Sequence, residues 1–188
     1  MCMKRRLFDV LFRPLVLACG ILCAFSVVPH VSASPFGEGV FGAHVPFGSL
    51  TSLTIALGGN VSLNLAPSGA TFVGNGSHTI TVTSTDVVGY SLYIYGVGST
   101  NMTNGTDTIP ASSNSVAGAL ATNTWGYNTD GSSNYLGLTT NPVLLKTATG
   151  PYETGDNTTV TYGVVTDITK TAGAYTGTVT YTAVALTD

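Results

Sequence analysis

Over residues 158–186 apolar and hydroxyl-bearing side chains alternate with a period of two, and few folds accept that pattern. Val160, Tyr162, Val164 and Ile168 fall on one face, with Thr159, Thr161 and Asp167 on the other. Tyr175, Val179, Tyr181, Ala183 and Ala185 then alternate with Thr176, Thr178, Thr180 and Thr182. Successive side chains of a strand point to opposite faces, so this predicts two half-buried antiparallel strands with a greasy inner face and a threonine-covered outer one. Residues 170–174 between them include Gly173, which can take positive φ, and predict a short connection, a hairpin or short loop.

The same rhythm runs upstream. Leu53, Ile55 and Leu57 alternate with Thr54 and Ala56, and Val61, Leu63 and Leu65 alternate back after Gly58-Gly59-Asn60, which predicts a second hairpin. Ile80 and Val82 sit between threonines in a strand over residues 78–85, and Leu92 and Ile94 oppose Tyr93 and Tyr95 in the next. Residues 96–121 are mostly Gly, Ser, Thr and Asn and predict a long loop with one helical turn near 116–120. Short strands are expected at 124–127, 135–138 and 142–147. Some eight short strands with turn signals between them and no amphipathic helix are the signature of an all-β sandwich or barrel over residues 49–188, with the antiparallel β-sandwich favoured.

Ahead of that domain lie two segments of different character. Residues 1–33 carry Lys4, Arg5, Arg6 and Arg13, then an apolar run from Leu15 to Val28, then Pro29 and the small-residue site Val31-Ser32-Ala33. That is the layout of a secretory signal peptide with cleavage expected after Ala33. The apolar run is shorter than the ~20 residues of a spanning helix, so a retained anchor is the weaker alternative, and membrane contact is expected only through this segment if it stays uncleaved. Cys19 and Cys23 lie inside the run, whereas a lipidated cysteine should close it. Residues 34–48 are rich in Gly and Pro but hold Phe36, Phe41 and Phe47. They read as a leader, either flexible or docked in extended form with its aromatics in pockets of this or another subunit.

Charge and cysteine usage exclude several functions. Only Lys146 and Lys170 are basic beyond residue 33, against eight of the nine acids, so no cationic face for nucleic acid exists. All three cysteines (Cys2, Cys19 and Cys23) lie within residues 1–33, leaving no disulfide framework for the domain.

No catalytic set assembles either. His44 and His78 are the only histidines beyond residue 33, both expected to be solvated, and no G-x-S-x-G elbow accompanies them. Asn128, Asp130 and Asn134 are a weak candidate for a calcium loop without its bidentate Glu, and turn formation explains them as well. No metal or cofactor is expected, and the chain is not expected to be an enzyme. Lys146 or Lys170 could form an isopeptide bond only if buried beside an acid, and Lys170 beside Asp167 reads as a loop ion pair. Tyr93, Tyr95, Trp125 and Tyr127 are the binding candidates, because exposed Tyr and Trp stack on sugars or anchor protein contacts. The plain alternative is burial, more so for Trp125.

Three stretches carry a family resemblance. Val88-Gly89-Tyr90-Ser91-Leu92, Asn123-Thr124-Trp125-Gly126-Tyr127 and residues 173–183 resemble secreted Ig-like surface proteins of small host-associated bacteria. The last also resembles the closing strand of WxL-type cell-wall-binding domains and of spore-coat-U-like pilus subunits. The W-x-L triplet and the cysteines of the spore-coat-U-like subunits are absent. The resemblance implies an extracellular, surface-associated, non-catalytic structural or adhesive protein. Its partners would be cell-surface components or further copies of itself. Alternatives are a carbohydrate-binding module and a strand-exchanging pilus subunit.

Overall fold

A computed structural model describes residues 51–187 apart from Thr106. Residues 1–50, with the expected signal peptide and Phe36, Phe41 and Phe47 of the leader, lie outside the described residues. Ten strands follow in order: β1 (Ser52–Leu57), β2 (Ala66–Ser68), β3 (Thr71–Thr85), β4 (Gly89–Tyr95), β5 (Met102–Thr103), β6 (Thr108–Ile109), β7 (Thr124–Asn128), β8 (Val143–Thr149), β9 (Tyr152–Thr166) and β10 (Thr180–Leu186). All pair antiparallel. One sheet has the order β1-β3-β9-β7, with β2 lying end to end with β1 along β3. The other has the order β10-β4-β8, and β5-β6 is a small ribbon. The expected all-β sandwich is the fold.

The alternation sets which residues lie inside. Ile80, Val82, Val160, Tyr162, Val164, Trp125 and Tyr127 come from the four-strand-wide sheet, and Tyr90, Leu92, Ile94 and Ala148 from the three-strand sheet; together they form one buried cluster. Each fully buried Ile, Leu or Val contributes about 1.5–3 kcal/mol relative to exposure. Chain directions follow from short arches. Residues 86–88 carry the chain from β3 to β4 in the facing sheet, and Gly150-Pro151 carry it from β8 to β9.

Several sequence expectations are corrected by the pairing. The two strands of residues 158–186 are no hairpin: β9 pairs with β3 and β7, β10 with β4 in the opposite sheet, and residues 167–179 cross between them. Ile168 lies past the end of β9 and is 84% exposed. The hairpin expected about Gly58-Gly59-Asn60 is also absent. β1 pairs along the far half of β3, residues 61–65 form no ladder, and the tight turn falls at Gly69, whose φ of 62° suits glycine. No helical turn forms at residues 116–120, and residues 135 and 136 make single bridges to Gly118 and Tyr127 rather than a strand. For β1, β9 and β10 the inner face was legible and the partner strand was not.

Gly89 begins β4 where the arch enters the second sheet. A Cβ there would lie 2.2 Å from the Ala148 carbonyl oxygen, a backbone atom that cannot turn aside. Gly89→Ala therefore forces β4 and β8 apart. The expected cost is about 1–3 kcal/mol, read as a lower urea midpoint at unchanged slope.

Candidate functional site

Lys146, Lys170, Asp107 and Asp156 are engaged in ion pairs within the fold. A bulge opposite Leu92 and Tyr93 inserts one extra residue in β8, so Lys146 falls opposite inward-facing Leu92. Its Nζ lies 2.7 Å from Asp156 Oδ1 on β9, and the Tyr90 hydroxyl donates to Asp156 Oδ2 at 2.7 Å. Burial alone would raise the Asp156 carboxyl. The Lys146 and Tyr90 hydrogen bonds and the Lys146 charge together outweigh it and hold the group below the usual carboxylate range. An isopeptide bond needs a neutral amine and a protonated acid, and contacts that keep Asp156 ionised oppose it.

Lys170 pairs not with Asp167 but with Asp107, 3.0 Å away beside β6, and also donates to the Thr108 carbonyl at 2.7 Å. The Thr171 amide and the Tyr175 hydroxyl reach Asp107 Oδ2 as well. The hydrogen bond from Lys170 is the largest cause holding the Asp107 carboxyl well below its ordinary range. The cluster ties the β9–β10 connection to the β5–β6 ribbon.

His78 is half-buried rather than solvated. Its Nε2 lies 2.9 Å from the Tyr181 hydroxyl of the facing sheet, which is itself hydrogen-bonded to the Tyr162 hydroxyl. Burial pushes the Tyr162 phenol up to about 12 and raises those of Tyr181 and Tyr127. These phenols therefore stay neutral, and those of Tyr162 and Tyr181 form a hydrogen-bonded bridge between the sheets.

The sequence-derived binding candidates separate. Trp125 is 3% and Tyr127 1% exposed, so neither belongs to a solvent-facing platform; the Trp125 indole N–H donates to the Thr100 carbonyl at 2.9 Å. Tyr93 and Tyr95 point outward from β4 and are half-buried, Tyr93 between Leu144 and Thr182 of the neighbouring strands. The Asn128, Asp130 and Asn134 loop uses its polar groups on itself. Asn128 Nδ2 donates to the Ser132 and Asn134 carbonyls, while Asn128 Oδ1 and Asp130 Oδ1 accept the Gly131 and Ser132 amides. Among the described residues no group of three or more His, Cys, Asp or Glu could hold a metal.

What the sequence did not disclose is a gap in the second layer. β1 lies beside β10, and among the described residues the three-strand sheet has no further strand beyond β10. Leu53, Ile55 and Leu57 pair with inward-facing Ser84, Val82 and Ile80, so they point toward the interior. Yet Ile55 is 38% and Leu57 53% exposed. On the other side of this slot β10 turns in the small side chains of Ala183 and Ala185.

The sheet edges are treated unequally. β7 is covered by backbone bonds from Ser112 and Leu136. β8 carries a bulge and an inward-pointing lysine, both devices that discourage strand addition. β10 keeps an unbroken register with β4 over all seven residues and has no charge, proline or bulge. In immunoglobulin terms β1, β3, β4, β9 and β10 take the A, B, C, E and F places, and among the described residues no strand takes the G place beyond F.

No family model and no curated protein matches the chain. A solved chain from a chaperone–tip adhesin complex of CFA/I fimbriae biogenesis is similar, with a TM-score of 0.47 at 13% identity, covering 71% of this chain and 41% of that one. The match spans about two fifths of that protein's length.

Lys146→Met leaves the Asp156 carboxylate in a half-closed interior with the Tyr90 hydroxyl as its remaining partner. The expected loss at pH 7 is about 1–3 kcal/mol. Because the folded-state pKa of Asp156 is lowered, its contribution is present above the unfolded value near ~3.9 and is lost as pH falls through the folded one. The stability gap between native and variant should therefore close below about pH 4 in urea titrations.

Proposed function

We propose that the protein is an exported, non-catalytic structural module of a cell-surface assembly whose open β10 edge accepts an extended segment of a partner chain. One observation carries this: among the described residues, inward-facing Ile55 and Leu57 stay exposed beside the β10 edge, which carries no bulge, proline or charge. A strand added there gains a backbone ladder and covers the apolar side chains at once, the β-augmentation mode of recognition. Covering what remains exposed of Ile55 and Leu57 is worth on the order of 1 kcal/mol each. Export rests on the signal-peptide layout of residues 1–33. The non-catalytic part is supported by Lys146, Lys170, Asp107 and Asp156 being bonded within the fold.

Sedimentation and negative-stain microscopy of the exported protein test it. Assemblies should form and should be dispersed by Leu57→Asp. Leu57 is already half exposed in the single chain, so the substitution should move the unfolding midpoint little. Monomers at every concentration, or assemblies indifferent to Leu57→Asp, would reject the proposal.

A second reading is favoured by the outward face of β4, where Tyr93 and Tyr95 are flanked by exposed Leu144 and Val184. Such a strip can stack on sugar rings. Binding on a glycan array that is lost in the Tyr93→Ala, Tyr95→Ala variant would establish it, and no binding to any glycan would remove it.

A further inference from the structure

We propose that His78 is a proton-operated switch on the coupling between the two sheets, in which a proton gained at Nε2 reverses the hydrogen bonds running from Tyr162 through Tyr181 to the imidazole. The ring stands on β3 and is held from two sides. Nδ1 lies 3.2 Å from the Gly59 carbonyl oxygen, in the segment that follows β1, and Nε2 lies 2.9 Å from the Tyr181 hydroxyl of β10. A carbonyl oxygen only accepts, so Nδ1 carries the hydrogen. In the neutral ring Nε2 is then an acceptor, and the Tyr181 hydroxyl donates to it. Having used its single hydrogen there, Tyr181 can only accept from the Tyr162 hydroxyl. Every donor direction in this relay follows from one carbonyl.

A solvent proton cannot be added to Nε2 without turning the relay round. With both ring nitrogens donating, Nε2 offers its hydrogen to the Tyr181 oxygen, and Tyr181 must rotate its own toward Tyr162. The Tyr162 O–H is then stranded, because Tyr181 is its hydrogen-bond partner among the described residues and Tyr162 is only 6% exposed. Ionising a phenol gives no relief, since burial pushes Tyr162 up to about 12 and raises Tyr181 as well. No carboxylate offsets the new charge. The titratable groups facing the ring are Tyr162 from β9 and Tyr181 from β10, with Tyr127 of β7 acting on both phenols. The ion pairs among the described residues are Lys146 with Asp156 and Lys170 with Asp107, neither of which includes His78. The bond from Nδ1 to Gly59 survives protonation, so the loss falls on the contact between β9 and β10. A buried donor without an acceptor is costly, and acid therefore weakens the join between the sheets.

Urea unfolding of the exported protein and of its Tyr162→Phe variant, each at about pH 8 and about pH 5 to bracket the ordinary histidine range, tests this. Removing the Tyr162 hydroxyl should lower the midpoint at the higher pH, where it donates to Tyr181. At the lower pH, where its hydrogen is stranded, the same change should lower the midpoint less or raise it. Groups that titrate alike in both proteins cancel in the difference. In a His78→Asn background, which keeps a donor toward Gly59 and cannot titrate, this pH dependence should vanish. Heteronuclear NMR of the imidazole nitrogens in the unaltered protein should show hydrogen on Nδ1 alone at the higher pH and on both nitrogens at the lower. That measurement needs no substitution and decides the matter if a variant fails to fold. A Tyr162→Phe effect equal at both pH values would overturn the switch, as would hydrogen on Nε2 at the higher pH or a pH dependence that persists with His78→Asn.

Discussion

The structure depends on a mismatch in width between its two layers. The sheet built on β3 and β9 is four strands across, and the sheet built on β4 is three. Where four face three the core closes well, from Trp125 and Tyr127 through Val160 and Tyr162 to Ile80 and Val82. Beyond β10 no further strand is found among the described residues, and Ile55 and Leu57 of β1 stay partly exposed. Area removed from water is the main favourable term in folding, so a strip left in this state weakens the fold in isolation and supplies free energy for whatever covers it.

A chain without cysteines in its sandwich must couple the two layers by other means. The sheets are joined at two points by polar side chains that would be costly if left unpaired, and a third cluster ties the β9–β10 connection to the β5–β6 ribbon. Lys146 and Tyr90 reach across to Asp156, Tyr181 reaches across to Tyr162 and His78, and Lys170 with Tyr175 reaches Asp107 beside β6. Such groups discriminate against slipped arrangements more than they add net stability, since a one-residue shift of either sheet would leave a buried charge or phenol unpartnered. The same residues that might have suggested chemistry, two lysines, two aspartates and a histidine, are all bonded within the fold.

How much of this was legible follows from what alternation encodes. A period of two reports which face of a strand is buried, and Val160, Tyr162, Val164, Leu92 and Ile94 were read correctly on that basis. It reports nothing about which strand is the neighbour, so β9 and β10 passed for a hairpin although they belong to opposite sheets. Trp125 and Tyr127 sit among Gly, Asn and Ser that look like loop sequence. They are buried because β7 docks on β9 with Gly126 opposite Gly163, and the Leu136 carbonyl and the Tyr135 ring press so closely on those glycines that no Cβ would fit. Lys146 and Asp156 are ten residues apart, but only the β8 bulge turns the lysine inward to meet the acid. The slot was invisible for a related reason. Leu53, Ile55 and Leu57 present the same letters whether or not a strand covers them.

The contrast between the two edges of the three-strand sheet turns that invisible feature into a functional statement. An exposed, regular, uncharged edge is an aggregation hazard, and natural sheets blunt such edges with bulges, prolines or inward charges. This sheet does so at β8, where both a bulge and Lys146 are found, and not at β10, where residues 180–186 run in clean register with nothing to repel a newcomer. One protected edge and one bare edge on three strands is a specification rather than an oversight. On the proposed reading, a bare edge beside exposed Ile55 and Leu57 favours an extended, alternately apolar segment, because a flat polar strand would gain the ladder and forgo the burial. Affinity for such a segment comes from the backbone and selectivity from the side chains beneath it, a division of labour available to a fold whose second layer stops one strand short.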